Sequence, residues 1–222
     1  MKLRLTILAC FCATALFAQA PESITWDFSS YPEITEILGQ PQVIETVLGP
    51  AIEFNGATDG VFTSSVPVNG MDEVTLEVIM NQYGKANFEN RYLHMGELNG
   101  PRIMFETRVT PENTWYADFF VVMTQGRETA LMIDEKKTHP CDQWYNVTLV
   151  GTKDGVKGYV NGVLEGEAPL NYRNAITTGQ TSLGVRQNLR SWFKGAIYKV
   201  RVTNAALTPD QFLKDYEKLN AK

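Results

Sequence analysis

The sequence predicts an all-β chain, an antiparallel sandwich or barrel with one short helix at its C-terminus. Three observations predict it. Short apolar or alternating runs recur along the 222 residues, separated by Gly, Pro, Asn and Asp, which is how half-buried strands and their turns read in a sequence. Helices of about 10–15 residues between those runs are missing, which excludes a parallel α/β sheet. Tight-turn residues join neighbouring runs: Asn161-Gly162 suits the positive φ angles of a two-residue type I′ hairpin, and Lys153-Asp154-Gly155 marks a second reversal.

In chain order the expected strands are 24–28, 43–48, 51–54, 61–64, 74–80, 91–95, 102–110, 115–123, 129–133, 144–151, 156–161, 163–167, 182–186 and 193–203. The closing helix is read from its start signal. Thr208-Pro209-Asp210-Gln211 offers a hydroxyl at the N-cap, Pro at the first helical position and Gln at the third. Phe212, Leu213, Tyr216 and Leu219 then form one apolar stripe that would dock on the sandwich. No linker, low-complexity tract or long repeat interrupts the chain, so residues 19–222 are expected to form one domain.

Residues 1–18 read as a secretory signal peptide. Lys2 and Arg4 supply the charged start, residues 5–17 the apolar run, and Ala18 and Ala20 the small residues near the cut. Cutting after Ala20 would place Pro21 next to the scissile bond, so cleavage is expected after Ala18. The run falls short of the ~20 residues that span a bilayer. Lipidation at Cys10 would leave about five apolar residues before it, fewer than a leader normally has. The expected location is therefore periplasmic or extracellular, with no membrane span in the mature chain.

Losing Lys2 and Arg4 takes the formal charge from −5 to −7. Nucleic acid needs basic patches, so it is excluded as a partner, whereas neutral sugars are not. Cys10 and Cys12 lie in the leader, which leaves Cys141 alone and no internal disulfide in the mature chain.

Four segments, in order, resemble a known family. Ala51 to Gly56 reads Ala-Ile-Glu-Phe-Asn-Gly, and Val74 to Val78 reads Val-Thr-Leu-Glu-Val. Trp144 to Val150 followed by Gly158 to Val163 resembles a Trp-x-x-Val and Tyr-Val-Asn-Gly hairpin. Phe193 to Val202, with Leu207-Thr208-Pro209, resembles a final strand and helix start. Together they resemble the laminin-G-like branch of the concanavalin A-like lectin/glucanase superfamily. That resemblance implies a two-sheet jelly-roll β-sandwich and a secreted carbohydrate-binding or adhesion role, with polysaccharide or glycan and other envelope proteins as partners. It also implies no cofactor beyond a structural calcium ion, for which Asn55 and Asp59 are the candidate ligands. Where family members often carry an Asp-Glu pair, this chain has Tyr198-Lys199. An ammonium in place of a carboxylate works against a hard cation.

The candidate site comes from strand alternation. Over 102–110 the period-two rule sends Ile103, Phe105, Thr107 and Val109 one way and Arg102, Met104, Glu106 and Arg108 the other. Tyr116 and Asp118 share a face on the next strand, and His94 lies on the one before. Arginine forks grip carboxylate or sulfate and aromatic rings pack on sugar faces. The expected ligand-binding set is therefore Arg102, Glu106, Arg108, Tyr116, Asp118 and His94. The plainer alternative is a solvated salt-bridge ladder on a half-exposed strand.

An enzymatic alternative uses the same residues. Trp192 to Tyr198 resembles the last strand of jelly-roll alginate lyases. A lyase here would use Arg102 against the uronate carboxylate and His94 or Tyr116 as base. The Gln-Ile-His element of those lyases is missing, and Glu73 and Glu77 lack the intervening Asp of a jelly-roll glycosidase strand. His139 and Cys141 are too few for a zinc site and read as a surface loop. Asn146-Val147-Thr148 is a sequon placed in a strand, and no function follows from it. Trp26, Trp115, Trp144 and Trp192 read as core anchors.

Overall fold

A computed structural model describes residues 21–27, 33–124 and 127–221. The leader, with Cys10 and Cys12, and Phe28 of the first expected strand lie outside the described residues. In chain order the strands are β1 (Ser23–Trp26), β2 (Ile34–Leu38), β3 (Gln42–Thr46), β4 (Gly49–Asn55), β5 (Gly60–Thr63), β6 (Val74–Gln82), β7 (Glu89–Gly96) and β8 (Arg102–Val109). They continue as β9 (Thr114–Thr124), β10 (Glu128–Ile133), β11 (His139–Pro140), β12 (Trp144–Thr152), β13 (Gly155–Val160), β14 (Val163–Ala168), β15 (Gln180–Leu183) and β16 (Lys194–Thr203). A 3-10 turn (Pro209–Gln211) and a short helix α1 (Asp215–Leu219) close the chain.

The strands form two antiparallel sheets. The first runs β14-β13-β12-β6-β16-β4-β3, with β1 also on β16, and the second β10-β9-β8-β7-β15-β5-β2, with β11 on β9. They pack face to face as the jelly-roll sandwich that the sequence reading expects. Alternation decides what lies between them. Val74, Leu76, Val78 and Met80 of β6 and Val147 and Leu149 of β12 face Tyr92, Phe105, Trp115 and Phe119 of the second sheet, all in one buried core. Tyr92 meets Phe105, and Phe105 meets Phe119, edge to face with centroids 5.9 and 5.3 Å apart, the arrangement that aromatic quadrupoles favour.

The hairpin between β13 and β14 turns on Asn161 and Gly162, at φ 50° and 79°, the two positive angles of a type I′ turn. The Asn161 side chain also accepts the Asn146 backbone N–H at 2.8 Å. β2 and β11 are additions to the expected strands. β2 is an exposed edge whose apolar residues (Ile34, Ile37, Leu38) follow no period of two, and β11 is a two-residue bridge to β9. Trp26, Trp115 and Trp144 are buried and Trp192 is half-buried.

The terminal helix is not continuous. Phe212 is extended, with ψ 157°, between the 3-10 turn and α1. In an unbroken helix the Leu213 N–H would bond the Pro209 carbonyl. Instead it donates to Glu77 Oε1 at 2.7 Å, and the Leu213 carbonyl accepts from Asn146 Nδ2 at 2.7 Å. Leu213, Tyr216 and Leu219 still dock, as their stripe predicts, against Ile79, Trp144 and Ala196 on the outer face of the first sheet. β6 is buried along its whole length, its inward residues by the core and its outward Glu77 and Ile79 beneath this segment. Among the described residues, no helix docks on the outer face of the second sheet.

Candidate functional site

Cross-strand register brings the predicted residues together on that open face. β7, β8 and β9 are neighbours, and their partners align as Glu89, Arg108 and Tyr116; Arg91, Glu106 and Asp118; His94, Met104 and Phe120; Gly96, Arg102 and Val122. Ile103, Phe105 and Val109 point into the core, and Thr107 there donates to Gln82. Arg102, Met104, Glu106 and Arg108 therefore point outward. With Asp118 and Phe120 from β9, Leu131 from β10, Arg91 from β7 and Arg186 from the loop after β15, they line a depression of about 240 Å³.

Its floor is an ionic network. Arg91 Nε donates to Glu106 Oε1 at 2.7 Å, and Arg91 Nη1 donates to Glu89 Oε2 at 3.0 Å and also to the Ser191 hydroxyl. Arg108 Nη2 donates to Asp118 Oδ2 at 2.5 Å. Arg108 Nη1 lies 3.0 Å from Glu106 Oε2, an ion-pair contact without hydrogen-bond geometry, so Oε2 is left without a donor. Glu106 and Asp118 are each only 2% exposed. The Asp118 carboxyl is pushed up to about 6, by burial first and by the neighbouring Glu106 carboxylate second, with Arg108 and Arg91 pulling against them.

Arg102 and Arg186 differ from the other two arginines. Arg102 Nη1 donates to the Gly100 carbonyl at 2.7 Å, and its guanidinium lies 5.3 Å from the centroid of the Phe120 ring. Among the described residues neither Arg102 nor Arg186 is paired with a carboxylate, and the Nε of each is buried with no acceptor. Burial, then repulsion from Arg186, lowers the Arg102 guanidinium from its usual value. Burial, then repulsion from Arg91, does the same to Arg186.

The remaining predicted residues sit differently. His94 is fully buried behind the depression. Its Nε2 bonds the Glu97 carbonyl at 3.2 Å and its Nδ1 accepts the Gln187 backbone N–H at 3.4 Å. That pattern is the neutral Nε2–H tautomer. Burial is the main cause of a ring value lowered to about 4, with Arg102, Arg186 and Arg91 adding to it. Tyr116 stands beside Arg108, outside the lining, with its phenol pushed up by burial and by Glu135.

Asn55 and Asp59 lie at a separate cavity of about 490 Å³ that Lys194 also lines. Asp59 Oδ1 accepts the Gln40 N–H at 2.9 Å and Oδ2 the Asn55 N–H at 3.0 Å. The carboxylate therefore caps a loop, and among the described residues no three His, Cys, Asp or Glu side chains gather to hold a metal. His139 packs between Trp115 and Tyr145, with centroids 4.8 and 5.5 Å away. Burial and then Asp142 push the Cys141 thiol up to about 11. Asn146 is 1% exposed and its amide is spent on Glu77 and Leu213, so the sequon nitrogen is enclosed.

A cavity of about 670 Å³ lies elsewhere, between β13 and the segment leading to the 3-10 turn. In its lining Lys157 pairs with Glu167 at 3.7 Å. The smaller depression is the better site because, among the described residues, the Nε groups of Arg102 and Arg186 in its lining have no acceptor, and buried donors nearly always have one.

Strand alternation missed Arg91 and Arg186. Period two places Arg91 with Leu93 and Met95 on the core side, but a bulge between Arg91 and Leu93 turns it outward opposite Glu106. Arg186 follows Gly184, which ends β15 at φ 80°, so no strand rule reaches it.

The profile of the concanavalin A-like lectin/glucanases superfamily matches residues 55–212. No curated protein matches the chain. Among solved structures, a heptameric SAP-like pentraxin from Limulus polyphemus aligns with a TM-score of 0.56 and 17% identity, over 72% of this chain and 78% of that one. Domain 4 of AbnA, a GH43 extracellular arabinanase from Geobacillus stearothermophilus, solved with arabinotriose, aligns at 0.52 and 19% over 85% of each chain. A CBM40 domain of a Ruminococcus gnavus IT-sialidase, bound to α2,3-sialyllactose, aligns at 0.56 and 15% over 81% and 97%. At these identities the likeness concerns the fold, and with the profile match it places the chain: it belongs to the concanavalin A-like lectin/glucanases superfamily.

Proposed function

We propose that this chain is an exported, non-catalytic glycan-binding or adhesion protein that takes its ligand on the outer face of the second sheet. The depression carries the reading. Arg102, Glu106, Arg108 and Asp118 line it beside Phe120 and Leu131, whereas the C-terminal segment docks on the outer face of the first sheet. Sugars present rows of hydroxyls and apolar ring faces, and fixed polar groups beside apolar side chains suit both. Leu131 and Phe88 are 56% and 57% exposed at this face, and Phe88 flanks Arg108 at 6.0 Å. The modules solved with arabinotriose and with sialyllactose support the reading by fold. Export to the periplasm or exterior rests on the leader at 1–18, and other envelope proteins are the protein partners this location offers. A structural calcium ion near Asn55 and Asp59 stays a secondary part of the proposal, with Asp59 also accepting the Gln40 and Asn55 backbone N–H groups.

Non-catalytic status rests on the same geometry. Glu106 and Asp118 are tied to arginines, and His94, with both ring nitrogens engaged, has no access to a substrate proton. One observation favours a polysaccharide-degrading enzyme as the second reading: a carboxyl near 6, as at Asp118, is suited to general acid chemistry. Purified protein incubated with polysaccharides separates the two. Retention of a glycan with no new reducing ends and no unsaturated-uronate absorbance supports binding. Either product signal, lost in Asp118→Asn while the thermal midpoint holds, transfers the site to the enzymatic reading. A protein that neither retains a glycan nor forms either product overturns both.

A further inference from the structure

Among the described residues four arginines and two carboxylates line the depression, and with Glu89 paired to Arg91 at its edge a local excess of positive charge remains in a chain whose formal charge is −5. The excess has an address. Arg91 and Arg108 are committed to Glu106 and Asp118, so the uncompensated charge sits on Arg102 and Arg186. Each presents a buried Nε without an acceptor. Buried polar groups in folded proteins nearly always find a partner, and two neighbouring guanidinium groups without one repel each other unless an anion comes between them.

Both are held in place beforehand. The Phe120 ring backs Arg102, and the Gly100 carbonyl fixes its Nη1 at 2.7 Å. The loop that carries Arg186 is anchored by Gln187, whose Nε2 donates to the carbonyls of Gln180 and Gly96 at 2.8 and 3.1 Å and whose backbone N–H reaches His94 Nδ1. His94 is thereby a positioning residue for Arg186. Within the loop, Leu189 N–H closes on the Arg186 carbonyl at 2.8 Å. Donors fixed in advance lose little freedom when they bind.

We infer that Arg102 and Arg186 form an anion subsite, and that the ligand of this face is an acidic glycan which docks a carboxylate or sulfate ester there. The inference rests on the glycan-binding reading and narrows it. Guanidinium forks match the two oxygens of a carboxylate or sulfate, whereas a sugar hydroxyl accepts hydrogen bonds without offsetting the charge. At about 240 Å³ the depression is smaller than the ~300–1,000 Å³ of typical ligand pockets. It takes one charged sugar residue, and the rest of the chain would run over Leu131 and Phe88.

Titration calorimetry with oligosaccharides of matched length tests this. The probes are oligogalacturonate for carboxylate, a sulfated galacto-oligosaccharide for sulfate ester, and malto-oligosaccharide as the neutral set, each at about 20 and 300 mM salt. The expected result is binding of at least one acidic set, at least tenfold weaker at the higher salt. Arg102→Gln and Arg186→Gln should each weaken it at least tenfold without lowering the thermal midpoint. Arg186 lies on a half-buried loop, so its variant remains informative if the Arg102 variant misfolds. Neutral sugars binding as tightly as acidic ones, or acidic binding untouched in Arg186→Gln, overturns the subsite and leaves glycan binding standing. A flat response to every probe overturns both.

Discussion

Glu106 and Asp118 face each other across β8 and β9, and each leaves one buried carboxylate oxygen, Oε2 and Oδ1, without a hydrogen-bond donor. Each is tied to its own arginine on the other oxygen. Burial first, and the neighbouring Glu106 carboxylate second, hold the Asp118 proton up to about 6.

Binding of an acidic glycan should therefore strengthen as pH falls. Above about 6 Asp118 is charged and opposes an incoming anion. Below it, protonation removes one negative charge from the lining while carboxylate and sulfate groups on the sugar stay ionised. Calorimetry at pH 5 and pH 7.5 should give a several-fold higher affinity at the lower pH, and Asp118→Asn should flatten that dependence. A steeper loss of affinity toward pH 5 would refute the assignment.

His94 acts on stability instead. Its folded value of about 4 lies below its ordinary 6.5, so between these the unfolded chain binds the extra proton. The contribution of the neutral ring is present above 6.5 and is lost as pH falls toward 4. Asp118 works in the opposite sense, since its folded value exceeds the ordinary 3.8 and the native state gains the proton as pH falls. The two slopes offset each other between about 4 and 6. In urea denaturation His94→Gln should remove one of them, so the variant's stability relative to the parent should rise from pH 7 to pH 4.5.

Glu77 clasps the C-terminal segment. It has no solvent exposure, and its Oε1 accepts from Leu213 N–H at 2.7 Å and Asn146 Nδ2 at 3.1 Å while its Oε2 pairs with Arg201. Removing one partner of a buried ion pair costs roughly 3–5 kcal/mol. Glu77→Ala should destabilise by about that much in urea denaturation. Hydrogen exchange should show early loss of protection at residues 212–220, ahead of β8 and β9. Equal protection loss in both regions would mean that the clasp is not local.

Much of the fold was legible because strand patterning and turn chemistry are local. Asn161-Gly162 announces its hairpin, and the odd and even residues of 102–109 separate into core and open face as their alternation requires. The candidate site was legible in the same way for Arg102, Glu106, Arg108 and Asp118. It was not for Arg91, which a bulge redirects, nor for Arg186, which a left-handed glycine carries out of its strand. His94 and Tyr116 share the outward direction, but direction does not disclose whether a loop closes over a side chain.

Taken by itself, the amino-acid sequence determined the antiparallel strands, their inward and outward faces and the residues available for binding, since each depends on neighbours a few positions away. The tertiary structure alone decided which sheet face stays open and which arginines stay unpaired. Glu77, 136 residues away, takes the Leu213 N–H that a continuous terminal helix would use, and the segment that follows docks on the outer face of the first sheet. Contacts across such separations follow from packing, and no local pattern encodes them.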